Sequence, residues 1–203
     1  MSETALGILL VALAYLSGSV PYGLVVTRLA TGKDVRTVGS GNIGATNAAR
    51  AGGHGLGVLV LALDVLKAVV PILIARRLLA GTPAADRWVT AISVAAFAGH
   101  LFPVWLRFKG GKGVATGLGI FVVLAPWAAL AGLVAYGAVY AATRISSLGS
   151  LSGTAVACAG GFVAHGFGSP IPWAGLAISL LIVSRHRDNI RRLLRGEERK
   201  LRV

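Results

Sequence analysis

One cysteine, Cys158, stands among 203 residues, so no disulfide can form within the chain. With no CxxC pair and no Cys/His cluster, a structural zinc site is excluded as well. Cys158 lies in TAVACAGGF, the setting of a small lipid- or helix-facing residue rather than of a nucleophile. Acids are nearly as scarce. Asp and Glu number 7 against 20 Lys and Arg, and Asp34, Asp64, Asp86 and Asp188 are too scattered to gather a divalent metal. Neither a metal nor a cofactor is expected. There is no repeat at fixed period, no low-complexity linker, and no positive residue ahead of the first apolar segment, which begins behind Glu3 and so does not read as a signal peptide.

What fills the chain instead is apolar sequence. Hydrophobic residues make up 55% and the mean hydropathy is +0.76, beyond the roughly 45–50% apolar usage of soluble domains. The predicted fold is therefore all-α, a single polytopic membrane domain over 1–203. A net charge of +13 does not mark a nucleic-acid module here, because such modules lack long apolar segments; the cations set orientation and attract anionic lipid headgroups. About seven transmembrane helices are expected, from about Thr4 to Thr27, Leu56 to Ala80, Trp88 to Leu106, Gly113 to Pro126, Trp127 to Thr143, Leu148 to Phe167 and Trp173 to Ser184. Gly18 and Pro21 fall near the end of the first. Seven crossings put the termini on opposite sides. One side then holds Arg28, Lys33, Arg36, Arg50, Arg107, Lys109, Lys112, Arg144 and the basic tail through Arg202, against Arg76, Arg77 and Arg87 on the other. The positive-inside rule makes the first side cytoplasmic and the N-terminus external.

Three polar segments, 38–53, 107–119 and 185–198, land together on that cytoplasmic face. The first, VGSGNIGATNAARAGG, offers glycine N–H groups, Ser40, Gly41, Asn42, Thr46 and Arg50 to an anion. It misses the Walker spacing and meets GxGxxG only partly, so it is a weak nucleotide signal; a glycine-mediated packing turn is the competing reading, behind anion binding. Its ATNAARAG stretch is expected to form a short interfacial helix. The second, FKGGKG, puts Lys109, Gly110, Gly111, Lys112 and Gly113 at the start of a helix, a place suited to phosphate; topology alone would account for the lysines but not for the glycines. In the third, His186 and Asn189 share a helical face, and His186 is suited to proton transfer in acyl transfer. A lipid-gripping basic helix would explain the arginines of this tail but not Asn189. Glu197 and Glu198 are expected to pair with those arginines. His100 and His165 read as interfacial histidines, and Asp64 and Lys67, three apart within a span, read as a packing ion pair ahead of any catalytic role.

The ordered set GSGNIGATNAAR, FKGGKGVATGLG and HRDNIRRLLRGEE closely resembles the three cytoplasmic motifs of the PlsY family, bacterial integral-membrane glycerol-3-phosphate acyltransferases. The resemblance covers nearly the whole chain. It implies transfer of a fatty acyl group from acyl phosphate to the sn-1 hydroxyl of glycerol-3-phosphate, giving lysophosphatidic acid and inorganic phosphate for phospholipid synthesis. It also implies a multi-pass protein of the bacterial plasma (inner) membrane with its active site on the cytoplasmic side. Carried over residue by residue, the family's serine and arginine fall on Ser40 and Arg50, its glycine-rich phosphate site on Lys109 through Gly113, and its histidine, asparagine and glutamate on His186, Asn189 and Glu197. Acyl phosphate is already an activated mixed anhydride, so no ATP or cofactor is needed. The expected partners are the two substrates and membrane lipid, with no nucleic acid.

Two other readings compete with this one. The HxxxxD acyltransferase dyad is absent, since Leu59, Trp105, Pro170 and Arg191 stand five after the four histidines. A transporter of an organic phosphate, with Asp64 and Lys67 in the pathway, predicts inverted repeats and polarity spread through the bilayer depth. Here polarity gathers on one face.

Overall fold

The computed structural model describes residues 1–200; Arg202 of the basic tail lies outside them. Among the described residues the fold is all-helical. The helices are α1 (Glu3–Ser19), α2 (Tyr22–Thr31), α3 (Ala45–Gly52), α4 (His54–Leu78), α5 (Ala85–Leu101), α6 (Val114–Leu124), α7 (Pro126–Thr143), α8 (Ser146–His165), α9 (Pro170–Arg185) and α10 (Arg187–Leu194). Five stretches are long and apolar enough to cross a membrane: Glu3–Thr31, His54–Leu78, Ala85–Leu106, Pro126–Thr143 and Ser146–His165. Val114–Leu124 and Pro170–Arg185 are shorter apolar helices. Val58, Trp127, Val134, Val163 and Leu180 face outward, an apolar exterior that a water-soluble monomer would not tolerate but lipid solvates.

The first span differs from the sequence expectation. It breaks at Pro21, which has no N–H to continue the ladder. The break leaves the Val20 carbonyl in need of donors; besides Tyr22 N–H it accepts from Lys67 Nζ at 3.1 Å. Lys67 in turn sits 2.7 Å from Asp64 Oδ1, and Ser17 Oγ donates to the Lys67 carbonyl at 2.9 Å. The buried pair thus fastens α4 to the kink between α1 and α2. Other span edges move by a few residues; the third span starts at Ala85 and keeps its expected end at Leu106, although its helix α5 stops at Leu101.

Small residues set the closest helix contacts. On α1 and α5, Gly18 lies against the Ala96 carbonyl and Gly99 against that of Tyr15; on α7 and α8, Gly132 and Gly153 face each other's carbonyls. A Cβ at any of these would collide with backbone. The main core packs Phe97, Ile72, Ile92, Leu101 and Ile178 between α4, α5, α6 and α9. A smaller one joins Phe121, Ala125, Ala128, Ala129 and Ala157. Between the two lies the space that holds the site.

Candidate active site

The loop ahead of α3 is shaped by one side chain. Asn47 Nδ2 faces the carbonyls of Val35 (2.7 Å), Val38 (2.9 Å) and Asn42 (2.9 Å), and its Oδ1 accepts from Ser40 N–H at 3.0 Å. Two amide hydrogens among three acceptors means at least one is shared. Gly39 and Gly41 turn the chain at φ 55° and 69°, which a Cβ disfavours. The result presents Ser40, Asn42, Thr46 and Arg50 to a cavity of about 400 Å³. Gly41 serves the turn and does not line the cavity. Arg50 forms no ion pair among the described residues. Burial, with the charge of Arg199 next, lowers its pKa.

The second segment divides. Lys112 and Gly113 line the cavity, whereas Lys109 is exposed and Gly110 and Gly111 bond elsewhere. Their N–H groups donate to the Leu101 and His100 carbonyls at 3.1 and 3.2 Å. Gly113, at φ 83°, caps α6 and turns Lys112 inward. Lys112 Nζ then donates to Asn189 Oδ1 at 2.5 Å. Burial, above all, lowers its pKa to about 8, the partial remedy coming from Glu198.

In the third segment, His186 closes α9 and opens α10. Its Nδ1 lies 2.8 Å from the Ile182 carbonyl; a carbonyl can only accept, so Nδ1 carries the proton and a neutral ring keeps Nε2 as an acceptor. Burial and then the charge of Lys112 lower the ring's pKa to about 4. Both ends of the Asn189 amide are engaged, with Oδ1 on Lys112 and Nδ2 donating to Glu198 Oε1 at 2.6 Å. Glu198 also accepts from Ser147 Oγ at 2.9 Å and from Arg192 Nε at 2.6 Å. Burial pushes this carboxyl up, and those three donors outweigh it and hold it below the usual range. Glu197, the glutamate carried over from the resemblance, is exposed; its neighbour Glu198 is the carboxylate in the cavity wall.

Helices α7 and α8 supply hydroxyls that no local pattern announces. Ser146 Oγ lies 3.0 Å from Thr46 Oγ1 and 3.2 Å from Tyr136 OH. Deeper, Leu61, Leu118, Phe121, Ala129, Leu133 and Ala157 make the lining apolar. Asp64 and His100 belong to the wall as well, and His100 is buried beneath Gly111 rather than interfacial. With Asp64 neutralised by Lys67, the cavity holds four cations, Arg50, Lys112, Arg192 and Arg199, against Glu198. No group of three metal-ligating acids, histidines or cysteines occurs among the described residues. A cationic mouth above an apolar trough can hold an anion that carries a hydrocarbon chain.

The family model described as glycerol-3-phosphate acyltransferase matches residues 8–196. The chain belongs to the glycerol-3-phosphate acyltransferase family. It is 70% identical over 201 residues to the glycerol-3-phosphate acyltransferase of Anaeromyxobacter dehalogenans strain 2CP-C, covering 99% of this chain and 100% of that protein. It is 48% identical to the one from Myxococcus xanthus strain DK1622, covering 94% and 97%. Among solved structures it is similar to PlsY (YgiH), an integral membrane glycerol 3-phosphate acyltransferase, in its glycerol 3-phosphate form. That likeness has a TM-score of 0.86 and 41% identity, and covers 96% of this chain and 94% of that one. The lysophosphatidic acid form of the same acyltransferase gives a TM-score of 0.85 at 39% identity. Family membership and an integral membrane fold thus follow from comparison.

Proposed function

We propose that this protein transfers a fatty acyl group from acyl phosphate to the sn-1 hydroxyl of glycerol-3-phosphate. The observation that carries this reading is the single cavity in which four cations adjoin an apolar trough. Each substrate brings a phosphate, and Arg50, Lys112 and the α6 N-terminus offset the repulsion between them. The acyl chain lies against Phe121, Leu133 and Ala157. The glycerol hydroxyl oxygen bonds to the acyl carbon, the bond from that carbon to the phosphate oxygen breaks, and inorganic phosphate leaves. His186 Nε2 takes the hydroxyl proton, and Lys112 and Arg50 stabilise the charge on the departing phosphate. Ser40, on the rim, orients the carbonyl. Asn189, with both amide ends engaged, holds Lys112 rather than substrate.

In this reading the two shorter helices cross with the five long ones. Seven crossings set the N-terminus outside and the cavity mouth, ringed by the basic segments, on the cytoplasmic side of the bacterial inner membrane.

The test is phosphate release by purified protein in detergent, given palmitoyl phosphate with and without glycerol-3-phosphate, with palmitoyl-CoA as control donor. Acceptor-dependent release with lysophosphatidic acid formed, and no reaction of the thioester, is expected. A reaction supported equally by palmitoyl-CoA would refute the donor assignment. His186→Ala should lower kcat by about 10²–10⁴; a rise in KM alone would reduce His186 to a binding residue.

A further inference from the structure

The loop that presents Lys112 is built of Gly110, Gly111 and Gly113, residues with the least conformational restraint, yet Lys112 must stand at a fixed distance from His186. Arg185 supplies that restraint. Its Nη2 donates to the Gly110 carbonyl at 2.9 Å and, at the limit of bonding distance, to that of Leu101 at 3.5 Å; its Nε donates to the Gly111 carbonyl at 3.2 Å. The guanidinium stands 5.9 Å from the centroid of the Phe102 ring. From the other direction, the N–H groups of the same two glycines are bound by the end of α5. Arg185 pairs with no carboxylate among the described residues, so its donors go to carbonyls. The residue that follows it in the chain is His186.

A basic residue at the end of an apolar helix ordinarily reaches for headgroups. This one turns inward, and its planar fork reaches carbonyls on two segments, which a lysine ammonium would not reproduce. We propose that Arg185 is a positioning residue that ties the glycine loop carrying Lys112 to the helix end carrying His186, fixing the anion site relative to the base. The inference rests on the roles given above to Lys112 and His186.

The experiment is a double-mutant cycle on full-length protein in detergent, with wild type, Arg185→Met, Lys112→Met and the double variant. It reads kcat and KM for both substrates alongside thermal unfolding. Arg185→Met is expected to lower kcat/KM at least about thirtyfold in the wild-type background and less than about threefold once Lys112 is gone. Arg185→Lys is expected to restore little of the loss. An equal effect in both backgrounds, or Arg185→Met within about threefold of wild type, overturns the proposal. Should Arg185→Met not yield folded protein, Arg185→Lys, which keeps the charge, replaces it in the same cycle under the same criteria. If wild type shows no acyl-phosphate activity, the functional reading has failed; the cycle is then read in glycerol-3-phosphate affinity, where the same coupling or its absence decides Arg185.

Discussion

Two regions of this molecule bury charge, and they do so to opposite ends. Asp64 and Lys67 are closed on each other at 2.7 Å, and the remaining reach of Lys67 is taken by the Val20 carbonyl. At the cavity mouth, Lys112, Arg50, Arg192 and Arg199 line one cavity with Glu198, which pairs with Arg192 alone among the described residues. The first pair is fully buried and balanced; the second group is partly exposed and carries a surplus of cations. Where positive and negative charge balance, the group fastens helices, and where cations exceed anions, the surplus is what the proposed function assigns to anionic substrates.

That contrast can be broken at either side. The largest effect should come from the balanced pair: Asp64→Ala leaves Lys67 unpaired and should cost about 3–5 kcal/mol of stability, read as a lowered unfolding temperature in detergent. Asp64→Leu with Lys67→Leu should recover most of it, because removing both charges removes the penalty; a double variant as unstable as the single would show that the pair is more than a fastening. Next comes the surplus. Lys112→Met should lower kcat/KM by about 10²–10³ while the unfolding temperature stays close to wild type, or rises as a buried ammonium is removed.

The pH dependence sharpens the same point. The proposed mechanism requires His186 neutral and Lys112 charged, so kcat/KM should fall below about 4 and above about 8, after allowance for the substrate phosphate's own ionisation near pKa about 6. The stability effects carry a fixed sign. Both groups have folded values below their ordinary 6.5 and 10.5, so the unfolded chain binds more protons in each window. Stability falls from pH 10.5 to 8 through Lys112 and again from 6.5 to 4 through His186. The smallest difference separates neighbours: Glu198→Gln should raise the KM for glycerol-3-phosphate several-fold by releasing Arg192 and Asn189, whereas Glu197→Gln should leave turnover unchanged.

The balanced pair was legible in the sequence because i and i+3 on a helix must meet, and the three polar segments because their composition is foreign to lipid. Other features depended on turns that helical spacing does not govern. Glu198 rather than Glu197 faces Asn189 because α10 ends at Leu194 and the tail folds back without helical register. Lys112 rather than Lys109 enters the cavity because Gly113 adopts φ 83° and Arg185 holds the preceding carbonyls. Tyr136, Ser146 and Ser147 come from α7 and α8, about a hundred residues beyond Thr46, and only tertiary packing brings them to the same cavity. Pro21 was visible, but the donor that satisfies the carbonyl freed at its break is a lysine over forty residues away.

Asn47 reaches only main-chain atoms in the loop it organises. Carbonyls and amides are the same whatever side chain they carry, so the loop's outline is insulated from substitution at Val38 or Asn42 as far as this knot is concerned. The fragility is moved onto one amide and onto Gly39 and Gly41, whose positive φ the turn requires. A lineage could therefore vary the side chains of the rim while keeping its curvature, provided that position 47 stays asparagine and the two turning glycines stay glycine.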